Sequence, residues 1–451
     1  MSAAEPVVRL VEVVEETRGH GLDRFAIPEL WRFSRGAGVR VGIFDSGVDE
    51  AHEDLSGAVH GRVNFTPDPD ADSYGHGTHC AGIVGARVNG LGVHGVAPEC
   101  DLFSVKVIND QGGSMYPWLI QGLDWAIAHR LDVASVSITG DRDDPLLHDA
   151  IRRAHAAGIV VVAAAGNAGF VAGVDTSGYP ARYPETIGVG AVGTGDARAH
   201  FSSSGGGVNI MAPGTDILST LPGNRYGITR GTSTATPFVA GVVALVLGKL
   251  RSDGGNATPR LLQELLYENA GDLGTPGVDK FTGYGLIKPE SLFAAIQRRF
   301  AAFFHAPPQS TDTALRLGAV PLFAGLPPER LEEIAAACQT DRREAGEVIF
   351  REGDRAGRLY LVLEGMISVQ KATTSGAVEL ARILPPGCLG ELSLFDGAPR
   401  SASAIALEPC RFLTLSGEAL RPIARAHPEI YENFLTIVSR RLRQAGAKLA
   451  G

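Results

Sequence analysis

The chain has 451 residues, 44% hydrophobic and 20% charged, with a formal net charge of -9. That length suits two or three domains, each with its own core, and the acidic balance argues against non-specific binding of nucleic acid. Glutamates in "MSAAEPVVRLVEVVEETRGH" stand where a signal peptide needs a basic start and an apolar run, and the most apolar stretch, "FVAGVVALVLGKL", is shorter than the ~18 residues of a membrane span.

In chain order, residues 1–19 form a short extension, and residues 20–300 alternate strand-like and helix-like runs. "VRVGIFD", "DLFSVKVI", "VASVSI", "GIVVVAAAG" and "TIGVGAV" are short and rich in Val and Ile, as buried parallel strands are. "YPWLIQGLDWAIAHRL" and "PLLHDAIRRAHAAG" between them carry helical patterns. This alternation predicts an α/β fold with a parallel sheet and flanking helices. Residues 301–317, with Pro307-Pro308 and a polar cluster, read as a linker. From 318 to 451 the texture changes to α+β. "GEVIFREGD", "LYLVLEGMISVQK" and "CRFLTLS" read as strands parted by Gly turns, as in a small antiparallel, jelly-roll-like barrel. Helical patterns open ("PPERLEEIAAAC") and close ("YENFLTIVSRRLRQAG") that region. The five cysteines (80, 100, 338, 388 and 410) are odd in number and lack metal-ligand spacing, which points to a reducing cytoplasm.

Three front stretches carry chemistry. Asp45 ends a strand in "VGIFDSGVDEAHEDL", His76 opens a helix in "GHGTHCAGI", and Ser233 stands at the mouth of an apolar helix in "GTSTATPFVAGVVALVL". Singly these are a turn residue, a loop histidine and an N-cap. Together, in the order Asp, His, Ser, they resemble the subtilisin-like serine peptidases. The α/β-hydrolases run Ser, acid, His, with Ser in G-x-S-x-G, and this serine lies in Gly-Thr-Ser-Thr-Ala. A fourth match is "VVAAAGNAG", whose Asn167 corresponds to the family's oxyanion donor. The resemblance covers about residues 20–300. It implies that Ser233 is the nucleophile, His76 its base, and Asp45 the group that orients His76. Asn167 and the Ser233 N–H would hold the oxyanion.

The resemblance also implies a substrate strand, here "SITG": Ser137, Ile138, Thr139 and Gly140. Thr139 replaces a usual Gly and is expected to narrow the pocket, while Gly166 and Gly178 keep the opposite walls small. Asp54 and the loop "RVNGLGV" match the family's main calcium site, with Arg87, Asn89, Leu91 and Val93 in the ligand positions; a plain surface loop is the alternative. Cys80 reads as a small buried side chain, although one branch of the family carries a thiol there. The extension is too short for a folded pro-domain. "EPVVRLVEVV" could lie across the active site as an inhibitory strand, as in intracellular members, or form an edge strand or a tail.

The rear region resembles a cyclic-nucleotide-binding domain, on "LFAGL", "GEVIFREGD", "LYLVLEGMISV" and above all "LGELSLFDGAPRSASA". The last looks like that family's phosphate cassette. A short helix beginning near Gly390, with Glu391 and Leu392 beside it in the binding set, would turn N–H groups toward the phosphate, and Arg400 would fork it. Ser401 and Ala402 would add contacts, and Glu391 would accept the ribose 2′-OH. The resemblance does not separate cyclic AMP from cyclic GMP. A helix-turn-helix often follows this module, but the chain stops after the closing helix, so the expected output is the peptidase. The reading is a cytoplasmic serine endopeptidase acting on peptides or proteins and gated by a cyclic nucleotide, with no nucleic-acid or membrane partner. A homodimer through the rear domain is a further expectation. Alternatives are a nucleotide sensor with a peptidase-fold docking module, and a peptidase whose barrel dimerises without ligand.

Overall fold

A computed structural model describes residues 8–13, 17, 20–252, 257–304, 314, 317, 318, 320–355, 357–373, 376–383, 385–395, 397–435, 437 and 438. Two compact units divide the chain: Met1–Lys249 with Ala257–Ala295, and Leu250–Asn256 with Ile296–Gly451.

The first unit begins with strand β1 (Arg9–Val11), followed by β2 (Arg40–Asp45), β3 (Val59–Asn64), β4 (Asp101–Lys106) and β5 (Val133–Val136). Then come β6 (Val160–Ala164), β7 (Thr186–Val192), β8 (Ile210–Pro213) and the hairpin β9 (Ile217–Leu221)–β10 (Arg225–Thr229). Seven strands form one sheet in the order β3-β4-β2-β5-β6-β7-β8, parallel at every pairing. β5, β6 and β7 are buried along their whole length, as expected of strands covered on both faces.

Helices Tyr116–Ala128 and Pro145–Ala156 cover one face, where Phe44, Val105, Leu119, Leu123, Val136, Ile151 and Val161 share a core. Gly122 lets that helix approach, since a Cβ there would stand 3.0 Å from the Phe44 ring. Helices His76–Gly85 and Thr232–Ser252 are almost wholly buried. By length and composition, Thr232–Ser252 passes as a membrane span, which "FVAGVVALVLGKL" alone does not. Yet 94% of its apolar window is buried inside the fold, as in a core helix. β1 pairs antiparallel with β10, Leu10 opposite Gly227. Of the options for the extension, the described residues therefore take the edge strand; residues 1–7, 14–16, 18 and 19 lie outside the described residues.

In the second unit, helix Pro328–Ala337 precedes β11 (Gln339–Arg343), β12 (Val348–Phe350), β13 (Arg358–Glu364) and β14 (Ile367–Thr373). β15 (Gly376–Ile383), β16 (Cys388–Leu389), β17 (Ser403–Ala406) and β18 (Cys410–Ser416) follow. They make two four-stranded antiparallel sheets, β11-β18-β13-β16 and β12-β17-β14-β15. β13 alternates: Leu359, Leu361 and Leu363 pack with helical residues such as Ile334 and Leu420, and Tyr360 and Val362 pack with Ile349 and Phe412. The cassette helix is one turn, Leu392–Phe395, beginning near Gly390 as expected; Gly390 itself, with φ of +85°, lies just outside it. Helix Gly417–Ala426 was not expected from the pattern. The closing helix is described over 429–435, 437 and 438; the rest of that expectation lies outside the described residues.

Candidate active site

Parallel β2 delivers Asp45 to its C-terminal end, where open α/β sheets gather their chemistry. The His76 ring lies with Nδ1 2.8 and 2.9 Å from the two Asp45 carboxylate oxygens. An ionised carboxylate only accepts, so Nδ1 carries the proton and Nε2 is left as the base. The Ser46 N–H donates to Asp45 Oδ1 at 2.8 Å, fixing the carboxylate from the other side. Burial alone lowers the His76 pKa; the Asp45 carboxylate outweighs it and holds the imidazole well above 6.5. His79, one turn on, is pushed down to about 4 by burial and by the neighbouring His76; its Nε2 lies 3.1 Å from the Ile217 and Gly227 carbonyls.

Ser233 is the second residue of its helix. Its carbonyl accepts from Ser137 Oγ at 3.0 Å and from Cys80 Sγ at 3.5 Å. Cys80 Sγ also lies 3.8 Å from His76 Nδ1, so one thiol touches the segments carrying both base and nucleophile. Burial raises its pKa, so it stays a thiol at neutral pH.

Asn167 Oδ1 accepts from the Thr232 N–H at 2.9 Å and from Thr232 Oγ1 at 3.0 Å. This turns Nδ2 the other way. A Cβ added to Gly231 would stand 2.7 Å from Ser233 Oγ, 3.3 Å from Asn167 Nδ2 and 3.6 Å from the Ser233 nitrogen. Nucleophile, side-chain donor and backbone donor thus converge on one small empty space.

Residues 36–285 match the subtilase family, Peptidase S8. The chain belongs to the subtilase family. Residues 341–427 match the cyclic nucleotide-binding domain, so this subtilase carries that module behind its peptidase fold. It is 47% identical over 217 residues to subtilisin E of Bacillus subtilis (strain 168), a match covering 48% of this chain and 56% of that one. The subtilisin of Bacillus pumilus is also 47% identical over 217 residues, covering 48% of this chain and 78% of the relative. An intracellular serine protease of Paenibacillus polymyxa is 45% identical over 233 residues, 50% of this chain and 72% of the relative. The subtilase thus spans little more than half the length of some curated relatives.

Ser137 to Gly140 continue from β5, and Gly140 exchanges two 2.8 Å backbone bonds with Tyr179. Ser137 turns its hydroxyl to Ser233, and Ile138 is buried in the core. Half-buried Thr139 faces both wall glycines. A Cβ on Gly178 would meet Thr139 Cβ at 2.9 Å, and one on Gly166 would lie 3.7 Å from Thr139 Cγ2. Space freed by the two glycines is therefore taken up by Thr139.

The calcium residues also come together. Asp54 is fully buried, its carbonyl accepts from the Arg87 N–H at 2.8 Å, and its Oδ2 accepts from the Val93 N–H at 2.7 Å. Asn89 directs its amide nitrogen toward Asp54 Oδ1 at 3.4 Å and its oxygen to the Leu91 N–H at 3.0 Å. Burial raises the Asp54 pKa, and among the described residues no Lys or Arg is ion-paired with it. A buried carboxylate without a Lys or Arg ion pair, and with His52 as its charged neighbour, suits a hard cation, although the Asn89 amide must turn to offer its oxygen.

In the second unit, Arg400 Nη1 donates to the Gly390 carbonyl at 2.7 Å and Nη2 to that of Arg358 at 2.6 Å. Its guanidinium lies 4.3 Å from the Phe350 ring centroid. Those two bonds leave three of the five N–H groups of a guanidinium for other acceptors. A Cβ on Gly390 would strike Arg400 Nη1 at 2.3 Å, so this position needs glycine for space as well as for its positive φ. Glu391 and Ala402 are buried, Leu392 opens the one-turn helix, and Ser401 is exposed, its carbonyl accepting from Lys371 Nζ at 2.9 Å. Sequence reasoning missed Thr232, Gly231, Arg358, Phe350 and Lys371. The first two lie inside the quoted Ser233 motif and were legible there; the others are brought in by strand pairing.

Proposed function

We propose that this subtilase is a serine endopeptidase acting on peptides or proteins, and that a cyclic nucleotide on its rear domain alters its rate. The observation that carries the first part is the convergence of Ser233 Oγ, Asn167 Nδ2 and the Ser233 N–H over Gly231, behind a hydrogen-bonded Asp45–His76 pair. Ser233 Oγ attacks the peptide carbonyl while His76 Nε2 takes its proton. The carbonyl electron pair moves onto oxygen, which receives N–H bonds from Asn167 and Ser233. Asp45 stays ionised and stabilises the imidazolium. Collapse expels the amine, which takes the proton from His76 and leaves an acyl-Ser233. Water, deprotonated by His76, then releases the acid and restores the serine. Hydrolysis of a fluorogenic peptide, abolished by Ser233→Ala, tests this reading; equal rates in both proteins would overturn it.

Thr139 between Gly166 and Gly178 favours a small residue before the cleaved bond. Thr139→Gly is expected to gain about 10-fold or more on substrates with Phe at that position relative to Ala. Identical cleavage profiles for the two proteins would sink the idea. Asp54, Asn89 and the carbonyls of Arg87, Leu91 and Val93 would hold calcium, which there would neutralise a buried charge. A melting temperature unmoved by calcium, in wild type as in Asp54→Asn, would exclude it. The likeness to an intracellular serine protease supports a cytoplasmic home, testable by fractionation. For regulation, cyclic AMP and cyclic GMP should change the hydrolysis rate of wild type and not that of Arg400→Ala. A rate indifferent to both would favour the ligand-free barrel.

A further inference from the structure

Behind the Asp45–His76 pair lies a second buried carboxylate with no part in the chemistry so far. Asp72 Oδ1 accepts from Ser46 Oγ at 2.7 Å and the Gly75 N–H at 2.8 Å, and Oδ2 from the Thr78 N–H at 2.8 Å and Thr78 Oγ1 at 2.6 Å. Each donor belongs to a segment carrying a member of the pair. Ser46 follows Asp45 and gives it an N–H bond; Gly75 and Thr78 flank His76 at the start of its helix. Ser46 Oγ in turn accepts from the Gly77 N–H at 2.9 Å. On the other side, buried Lys106 donates to the carbonyls of Ser46 (2.7 Å) and Ala71 (2.9 Å) and pairs with Asp110 at 2.8 Å. The strand end is thus tied to the His76 helix through Asp72 and Ser46, and to the loop that carries Asp72 through Lys106.

We infer that Asp72 is a positioning residue for the proposed reaction: through Ser46 and the first turn of the His76 helix it sets the distance and angle of the Asp45–His76 hydrogen bond. The four donors offset the burial of the Asp72 carboxylate and fix the segments that carry them relative to one another. An error of about 1 Å in such a pair lowers turnover about 100-fold without touching substrate binding.

This inference rests on the peptidase reading, and the test separates the two. Asp72→Asn is isosteric but turns an amide N–H against one set of donors. In the full chain it is expected to lower kcat about 10- to 100-fold while KM stays within about 3-fold. It is also expected to shift the acid limb of the pH–rate profile, which a merely structural role would not move. Ser46→Ala removes one arm only and should show a smaller loss of the same kind, non-additive with Asp72→Asn. If Asp72→Asn fails to fold, Ser46→Ala alone decides. Wild-type kcat and acid limb in these variants, or a loss confined to melting temperature, would overturn the inference and leave the peptidase standing. A wild type that neither hydrolyses peptide nor labels with a fluorophosphonate would overturn the peptidase reading and this inference with it.

Discussion

Asp45 holds the His76 pKa well above 6.5 against its burial, and the base works only when neutral. Activity should therefore fall as pH drops through that raised value, with an acid limb above the ordinary histidine range. Asp45→Asn removes the raising charge, so its residual limb should lie lower; a limb at the same pH would refute the assignment. Asn167→Ala should lose about 100- to 1000-fold in kcat with little change in KM, the loss known for this donor in a subtilisin, a relative of this chain. Thr232→Val removes one of the two bonds that turn the Asn167 amide, and should lose about 5-fold, one neutral hydrogen bond. His79 has the opposite sign to His76. Its folded pKa of about 4 lies below the unfolded ~6.5, so its contribution is full above 6.5 and fades as pH falls toward 4. Urea titrations should show about 2 kcal/mol of stability lost between pH 7.5 and 5 through this group, a share that His79→Asn would lack. Asp45, His76 and Ser233 were legible because each ends or opens an element within a distinctive local motif. Thr232 was not singled out, since a hydroxyl at a helix start reads as an ordinary cap.

At the scale of elements, β2, β4, β5, β6 and β7 were plain in the sequence because all are short, β-branched and buried. The β9–β10 hairpin was harder to see: Ser219, Thr220 and Gly227 break the apolar run, and its strands find partners in β1 and the His76 helix. In the barrel, charged β11 (Gln339–Arg343) lacks an apolar run and is held by β18. Helix Gly417–Ala426 escaped because Pro422 stands inside it, although Ser416 caps it through the Ala419 N–H at 3.2 Å. β1 has a consequence for the extension. Its three residues lie on the outer edge of β10 and are largely exposed. Deleting residues 1–13 should leave peptide hydrolysis within about 2-fold and lower the melting temperature by about 2–4 °C, as befits about 1 kcal/mol in a large unit. A large gain in activity on deletion would instead revive the inhibitory strand.

For the molecule as a whole, the two compact units, each with its own core, predict two calorimetric transitions. Each should answer to a different ligand. Cyclic nucleotide at 100 times its Kd should stabilise one transition by about 2.7 kcal/mol and leave the other in place, with the response absent in Arg400→Ala. Calcium should move the transition that cyclic nucleotide does not. A single transition shifted by both ligands would show that the units melt as one. Architecture at this scale was legible from the change of texture near residue 318, where parallel-strand runs give way to strands parted by Gly turns. Which N–H groups of Arg400 are already engaged was not, because Arg358 lies 42 residues away in sequence and reaches it through the pairing of the strands.

The space above Gly231 is bounded by the three groups proposed to meet the reacting carbonyl, and it is too small for a methyl group unless Ser233 Oγ shifts. An alanine at 231 would therefore act as its own plug. The methyl would occupy the seat of the substrate oxygen, 2.7 Å from the attacking atom, while the nucleophile, base and orienting carboxylate all stayed in the sequence. Such a protein would pass any inventory of its catalytic side chains and still be silent. A single hydrogen atom at residue 231 would divide a chain competent for the proposed reaction from a faithful copy of one.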